Sequence, residues 1–187
     1  MKQPSSQENT KADSQQHSNK QAKMPALFIA VIAIFILVAL DQGVKYWVEQ
    51  TIALHQQIPV LPFLSLLHAR NDGVAFSMLS SFPDLGLILL TCAIIIFVAF
   101  LLWKTNPSRY LSRIGFVLVL GGAIGNLIDR VRFHYVIDYI YFYIGNIFSF
   151  AIFNLADVFI TLGAFFIILD ELIMWKKERK AKTQKTD

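Results

Sequence analysis

Two aspartates stand where apolar surroundings should exclude them. Asp157 interrupts an apolar run over residues 147–169, and Asn154 lies one helical turn before it. Asp138 sits among Val136, Ile137, Tyr139 and Ile140. A charge inside a bilayer costs about 2.5–3.5 kcal/mol or more, so such a residue faces a partner and carries a function. If the two acids meet, repulsion and a low dielectric keep one protonated while the other stays ionised. The ionised group can then take a proton from water while the protonated one polarises a scissile carbonyl. That is aspartyl protease chemistry without a covalent intermediate. The spacing alone leaves a second reading open, in which each acid pairs separately with Arg130, Arg132 or Lys45 as a structural ion pair.

Other polar groups fall into short constellations. Asp41 and Lys45 are spaced i, i+4, so on one helix they share a face, either as an interfacial ion pair or as part of a site. Asn71-Asp72-Gly73 reads as a hairpin turn in which Gly73 supplies a positive φ. Gly121 and Gly125 form a small-xxx-small face that admits a neighbouring helix. Asn126 and Arg130, again i, i+4, project just beyond it.

The composition removes several alternatives. Cys92 is the single cysteine, and His17, His55, His68 and His134 are scattered without an HExxH pair. Neither a metal nor another cofactor is expected, and no nucleic-acid partner either. A serine–lysine peptidase would use Lys45 as base, but Ser65, Ser77 and Ser149 are all distant in sequence. A proton-coupled transporter would also use intramembrane acids. No inverted repeat relates the two halves, however, and the polar residues gather at one end. An assembly protein stays open as long as only the fold is considered.

The elements that must carry these residues are membrane spans. The chain has 187 residues, 55% hydrophobic and only 16% charged, too apolar for an ordinary soluble domain. Residues 1–23, rich in Gln, Ser, Lys and Asn, read as a disordered cytoplasmic tail. The four-helix membrane domain covers 24–175, with spans at about 25–44, 85–103, 110–128 and 153–175. Residues 176–187 form a basic cytoplasmic tail. The first span is too long for a signal peptide and no small-x-small site follows it before Asp41. Arg113, near the start of the third span, is expected to snorkel to the interface. Thirteen of the seventeen basic residues lie in the two tails and around the connection between spans two and three. By the positive-inside rule both termini are cytoplasmic, and the polar constellations lie toward the outer face. Between spans one and two, runs at 63–69 and 74–79 flank the turn and predict a small extracytoplasmic β-hairpin subdomain. The expected fold is all-α and membrane-embedded, with that subdomain attached.

Five ordered motifs carry a family resemblance. They are Asp41-x-x-x-Lys45, Asn71-x-Gly73-x-Ala75-Phe76, Gly121-Gly122-x-x-Gly125-Asn126-x-x-Asp129-Arg130, Val136-x-Asp138-Tyr139 and Phe153-Asn154-x-Ala156-Asp157. Across about residues 25–175 the chain closely resembles bacterial lipoprotein signal peptidases, the signal peptidase II family. The resemblance implies a four-helix enzyme of the bacterial cytoplasmic (inner) membrane. Its members remove signal peptides from diacylglyceryl-modified prolipoproteins, cutting before the lipid-bearing cysteine. It implies Asp138 and Asp157 as the catalytic pair. Asn126, Arg130 and Asn154 match the positions around that pair, and Asp41, Lys45, Asn71 and Gly73 match supporting positions. Membrane lipid and a globomycin-type cyclic peptide inhibitor are the further partners it implies. Tyr139 departs from the Phe usual after the first aspartate, and its hydroxyl needs a partner.

Overall fold

The computed structural model describes residues 6–73, 84–145 and 147–183, with side chains from residue 26 onward except residues 84 and 182. Among the described residues, four helices are long and apolar enough to cross a membrane: Ala26–Thr51, Leu85–Lys104, Tyr110–Phe133 and Leu155–Ala181. They belong to α1 (Ser6–Thr51), α2 (Asp84–Lys104), α3 (Tyr110–Phe133) and α4 (Leu155–Thr183). Strands β1 (Gln57–Leu61) and β2 (Leu64–Asn71) lie between α1 and α2. Strands β3 (Val136–Ile144) and β4 (Phe148–Ser149) lie between α3 and α4. The four strands pair antiparallel in the order β1-β2-β3-β4.

Several boundaries differ from the sequence reading. The first helix runs on to Thr51, because Val48 and Ile52 bury against Ile137 and Tyr139 of β3. At its other end it extends back to Ser6, where a disordered tail was expected. The hairpin turns at Pro62-Phe63 and not at Asn71-Gly73, since 57–61 supplies the partner strand. The expected strand at 74–79 falls outside the described residues, as do Ala75 and Phe76. The fourth span begins at Leu155 and not at residue 153, because Phe153 exchanges backbone hydrogen bonds with Ile140. It then continues helical through the basic segment to Thr183.

The central helix is α3, which touches the other three and is the most buried of the four. Glycines set how close its neighbours come. A side chain at Gly121 would meet Leu37 of α1, and one at Gly125 would meet Asp41. On another face, Gly115 opposes Gly163 of α4 and Gly122 opposes Ala156. The small-xxx-small pair therefore seats Leu37 and Asp41, themselves i, i+4 on α1. Large apolar side chains such as Phe35, Phe97 and Phe165 point outward, as lipid-facing positions do. At the end of α3, His134 takes the left-handed conformation (φ 66°) and its N–H donates to the Arg130 carbonyl at 3.0 Å. That turn sends the chain directly into β3 and brings Asp138 back over the bundle.

Candidate active site

The start of α4 is built almost entirely from side chains. Asn154 immediately precedes the helix, and its Oδ1 accepts from the Asp157 N–H at 3.1 Å. Asp157 Oδ2 in return accepts from the Asn154 N–H at 3.1 Å. This reciprocal pairing is a capping box written with Asn and Asp. The two amides between are also held: Leu155 N–H donates to Tyr139 Oη at 3.2 Å, and Ala156 N–H to Asp41 Oδ1 at 3.0 Å. Helix amides left without intrahelical partners are thus satisfied by residues from β3, α1 and the cap itself. The hydroxyl that Tyr139 adds has its partner here. Tyr139 is only 4% exposed, and burial pushes its phenol up from the ordinary value, so it stays a hydroxyl.

Asn154 also joins the two aspartates. Its Nδ2 donates to Asp138 Oδ1 at 2.7 Å and to Asn126 Oδ1 at 3.2 Å. Asp138 Oδ2 accepts from Asn71 Nδ2 at 2.9 Å, across the β2–β3 pairing. Asp157 Oδ1 accepts from Asn126 Nδ2 at 2.9 Å. Each carboxylate therefore holds two hydrogen bonds, and neither is in an ion pair among the described residues. Burial pushes the Asp138 carboxyl up to about 6; the amide of Asn71 opposes the shift and the neighbouring Asp157 charge adds to it.

The cations that the second reading would pair with the acids are engaged elsewhere. Lys45, 1% exposed, puts Nζ at 2.9 Å from Asp41 Oδ2, 2.8 Å from Asp129 Oδ2 and 2.8 Å from Asn126 Oδ1. Gln42 Nε2 donates to Asp129 Oδ1 at 2.8 Å. Arg130 Nη2 donates to the Gly73 carbonyl at 3.2 Å, and Arg132 lies over the Phe133 ring. Ser65 bonds Tyr143 and Gln57, Ser149 is exposed in β4, and Ser77 is outside the described residues. No serine meets Lys45 among the described residues.

All nine residues singled out in the sequence thus converge. Six of them, Asn71, Gly73, Asn126, Arg130, Asp138 and Asp157, line one cavity of about 330 Å³. Asn154 sits behind it, and Asp41 and Lys45 lie one layer deeper. A second cavity of about 540 Å³ adjoins it past Asp138 and shares Asn71, Gly73 and Phe150 with it. Two contributors had been given no role: Gln42, and Asp129, which was named only within a motif. Asp129 had a signal, since it stands i+3 from Asn126, but its neighbour Arg130 offered itself as the obvious partner.

The family profile and the curated relatives agree on one family. The family profile for signal peptidase (SPase) II matches residues 32–173. The chain is 55% identical over 158 residues to a lipoprotein signal peptidase of Bartonella bacilliformis, covering 84% of this chain and 95% of that one. It is 51% identical over 160 residues to the lipoprotein signal peptidase of Brucella ovis, covering 86% and 97%. A solved structure of a bacterial membrane enzyme superposes with a TM-score of 0.70 at 30% identity, over 77% of this chain and 87% of that one. With four spans, a polar site at one end and these matches, the chain belongs to the signal peptidase II family.

Proposed function

We propose that this chain is an intramembrane aspartyl endopeptidase acting on diacylglyceryl-modified prolipoproteins. It cuts the signal peptide away just before the lipid-bearing cysteine, using water activated between Asp138 and Asp157. The observation that carries the reading is Asn154, whose one side chain and backbone amide engage both acids.

The roles divide as follows. Asp157 takes the role of the base, accepting a proton from water as the oxygen attacks the scissile carbonyl. Asp138, with a carboxyl raised to about 6, is the acid that donates to the carbonyl oxygen. The resulting gem-diol collapses when Asp157 returns its proton to the departing cysteine nitrogen and Asp138 recovers one from a diol hydroxyl. Asn126 and Asn154 hold the pair, and Arg130 fixes the Gly73 carbonyl beside the cavity. The adjoining cavities give room for substrate on both sides of Asp138.

The site faces the outer side of the inner membrane, with both termini cytoplasmic, as the distribution of basic residues supports. The exposed apolar residues Ile58, Val60, Leu61 and Phe63 suit a hairpin lying against lipid or the substrate's acyl chains. A globomycin-type cyclic peptide is expected to compete for the same cavity.

The test is cleavage of a diacylglyceryl-modified prolipoprotein by purified wild type, Asp138→Asn and Asp157→Asn, with a chelator present. Cleavage by the wild type alone supports the pair. Cleavage by either variant at the wild-type rate removes that residue from the mechanism.

A further inference from the structure

At the end of α3 away from the carboxylates, two arginines one turn apart are treated differently. Arg109 is answered by acids: its Nη2 lies 2.7 Å from Asp170 Oδ2 and 2.8 Å from Glu171 Oε1. Arg113 is 9% exposed, and among the described residues its hydrogen-bond acceptor is the Thr105 carbonyl, at 3.3 Å. The side chain reaches the connection between α2 and α3, at the interface as expected, and is tucked against the bundle there. A guanidinium carries five N–H donors, and a charge this sheltered calls for an anion.

Arg113 borders a cavity of about 500 Å³ between α1 and α3. The rest of its wall is almost entirely apolar, formed by Ala26, Ile29, Ala33 and Leu37 on α1 and by Ile114 and Val117 on α3. From Ala26 to Leu37 a helix rises about 16 Å. That is roughly half of a ~30 Å hydrocarbon core, the depth of one leaflet. The groove closes where Leu37 meets Gly121. Its shape is therefore a chain-length apolar slot with a cation at the membrane surface.

We infer that this groove binds one phospholipid from the leaflet at that end of the bundle, with its phosphate on Arg113 and an acyl chain along α1. Charge decides the occupant. An apolar slot alone would take any hydrocarbon, whereas a guanidinium at its mouth matches a phosphate bidentately. The bilayer supplies a phosphate covalently joined to a chain at this depth. The inference is independent of the proposed reaction, because the site lies at the opposite end of α3.

The experiment uses the full chain, purified in detergent and stripped of lipid, followed by native mass spectrometry and thermal melting. The probes are phosphatidylglycerol, diacylglycerol with the same tails, and inorganic phosphate. One retained phosphatidylglycerol and a raised Tm are expected for the wild type. Arg113→Gln should weaken that binding about tenfold to a hundredfold. Ala33→Trp should weaken it comparably by filling the slot while leaving the charge in place. Phosphatidylglycerol binding that neither variant weakens overturns the site. Diacylglycerol binding that Arg113→Gln weakens as strongly overturns the role of the phosphate, and an equal Tm rise with inorganic phosphate overturns the lipid.

Discussion

Two ionic clusters tie α3 to its neighbours, one at each end of the bundle, and they differ in where their hydrogen bonds lead. The cluster of Asp41, Lys45 and Asp129 is almost wholly buried and sets two carboxylates against one ammonium. Its spare bonds go onward, from Lys45 to Asn126, from Asn126 to Asp157, and from Asp41 to the first turn of α4. The cluster of Arg109, Ser112, Asp170 and Glu171 ends in solvent, with the Glu171 side chain 62% exposed. Both clasp helices together. Only the first also aims the groups of the site, so damage to it should be felt in catalysis as well as in folding.

Lys45→Met should be the most damaging change. It strands two buried carboxylates, a loss of about 3–5 kcal/mol, and frees Asn126 to turn, which should cost about a hundredfold in turnover. Thermal melting and prolipoprotein cleavage on the same sample separate the two effects. If melting falls while the rate of the folded fraction holds, the cluster is merely a clasp. Asp129→Asn should be milder, at about 1–3 kcal/mol, because the Asp41–Lys45 pair stays intact. It should keep activity within about tenfold of wild type.

The acid in the site adds a pH signature of its own. A carboxyl raised from 3.8 to about 6 binds its proton more tightly in the folded state than in the unfolded one. Stability relative to Asp138→Asn should therefore fall as pH rises from about 4 to about 6, by about 1–3 kcal/mol, and level off above. Melting both proteins across that range checks the sign; a difference that grows in favour of the wild type contradicts it. The same proton should set an alkaline limb near 6 in kcat/KM of the free enzyme. Smallest of all is Glu171→Gln, expected to cost about 0–1 kcal/mol with no change in rate.

The spans were readable because an apolar run long enough to cross a bilayer has few other uses. Strand β3 was not, for the same reason. Its first four residues, Val136 to Tyr139, are all buried, so it lacks the alternation that marks a half-exposed strand. It merges with the apolar residues after it into what looks like a short connection before a longer helix. Most of the candidate residues stood out as polar groups in apolar company, and the structure brings them together. The wiring among them was hidden. Asp129 and Arg130 are adjacent in sequence, yet about 100° of helix rotation sends one to Lys45 and the other to the cavity.

The reach of Asp41 has a consequence for biogenesis. It holds an amide of the last span, 115 residues later in the chain. Until that span arrives, Asp41 has Lys45 beside it on its own helix, so the first span can enter the bilayer as an internally neutralised segment. Asp129 enters next and finds the ammonium already in place. Asp157 comes last, and its own capping box forms as its helix does. A chain halted before α4 would hold Asp138 without its partner acid. The order of synthesis thus leaves the proposed catalytic pair incomplete until α4 is in the membrane.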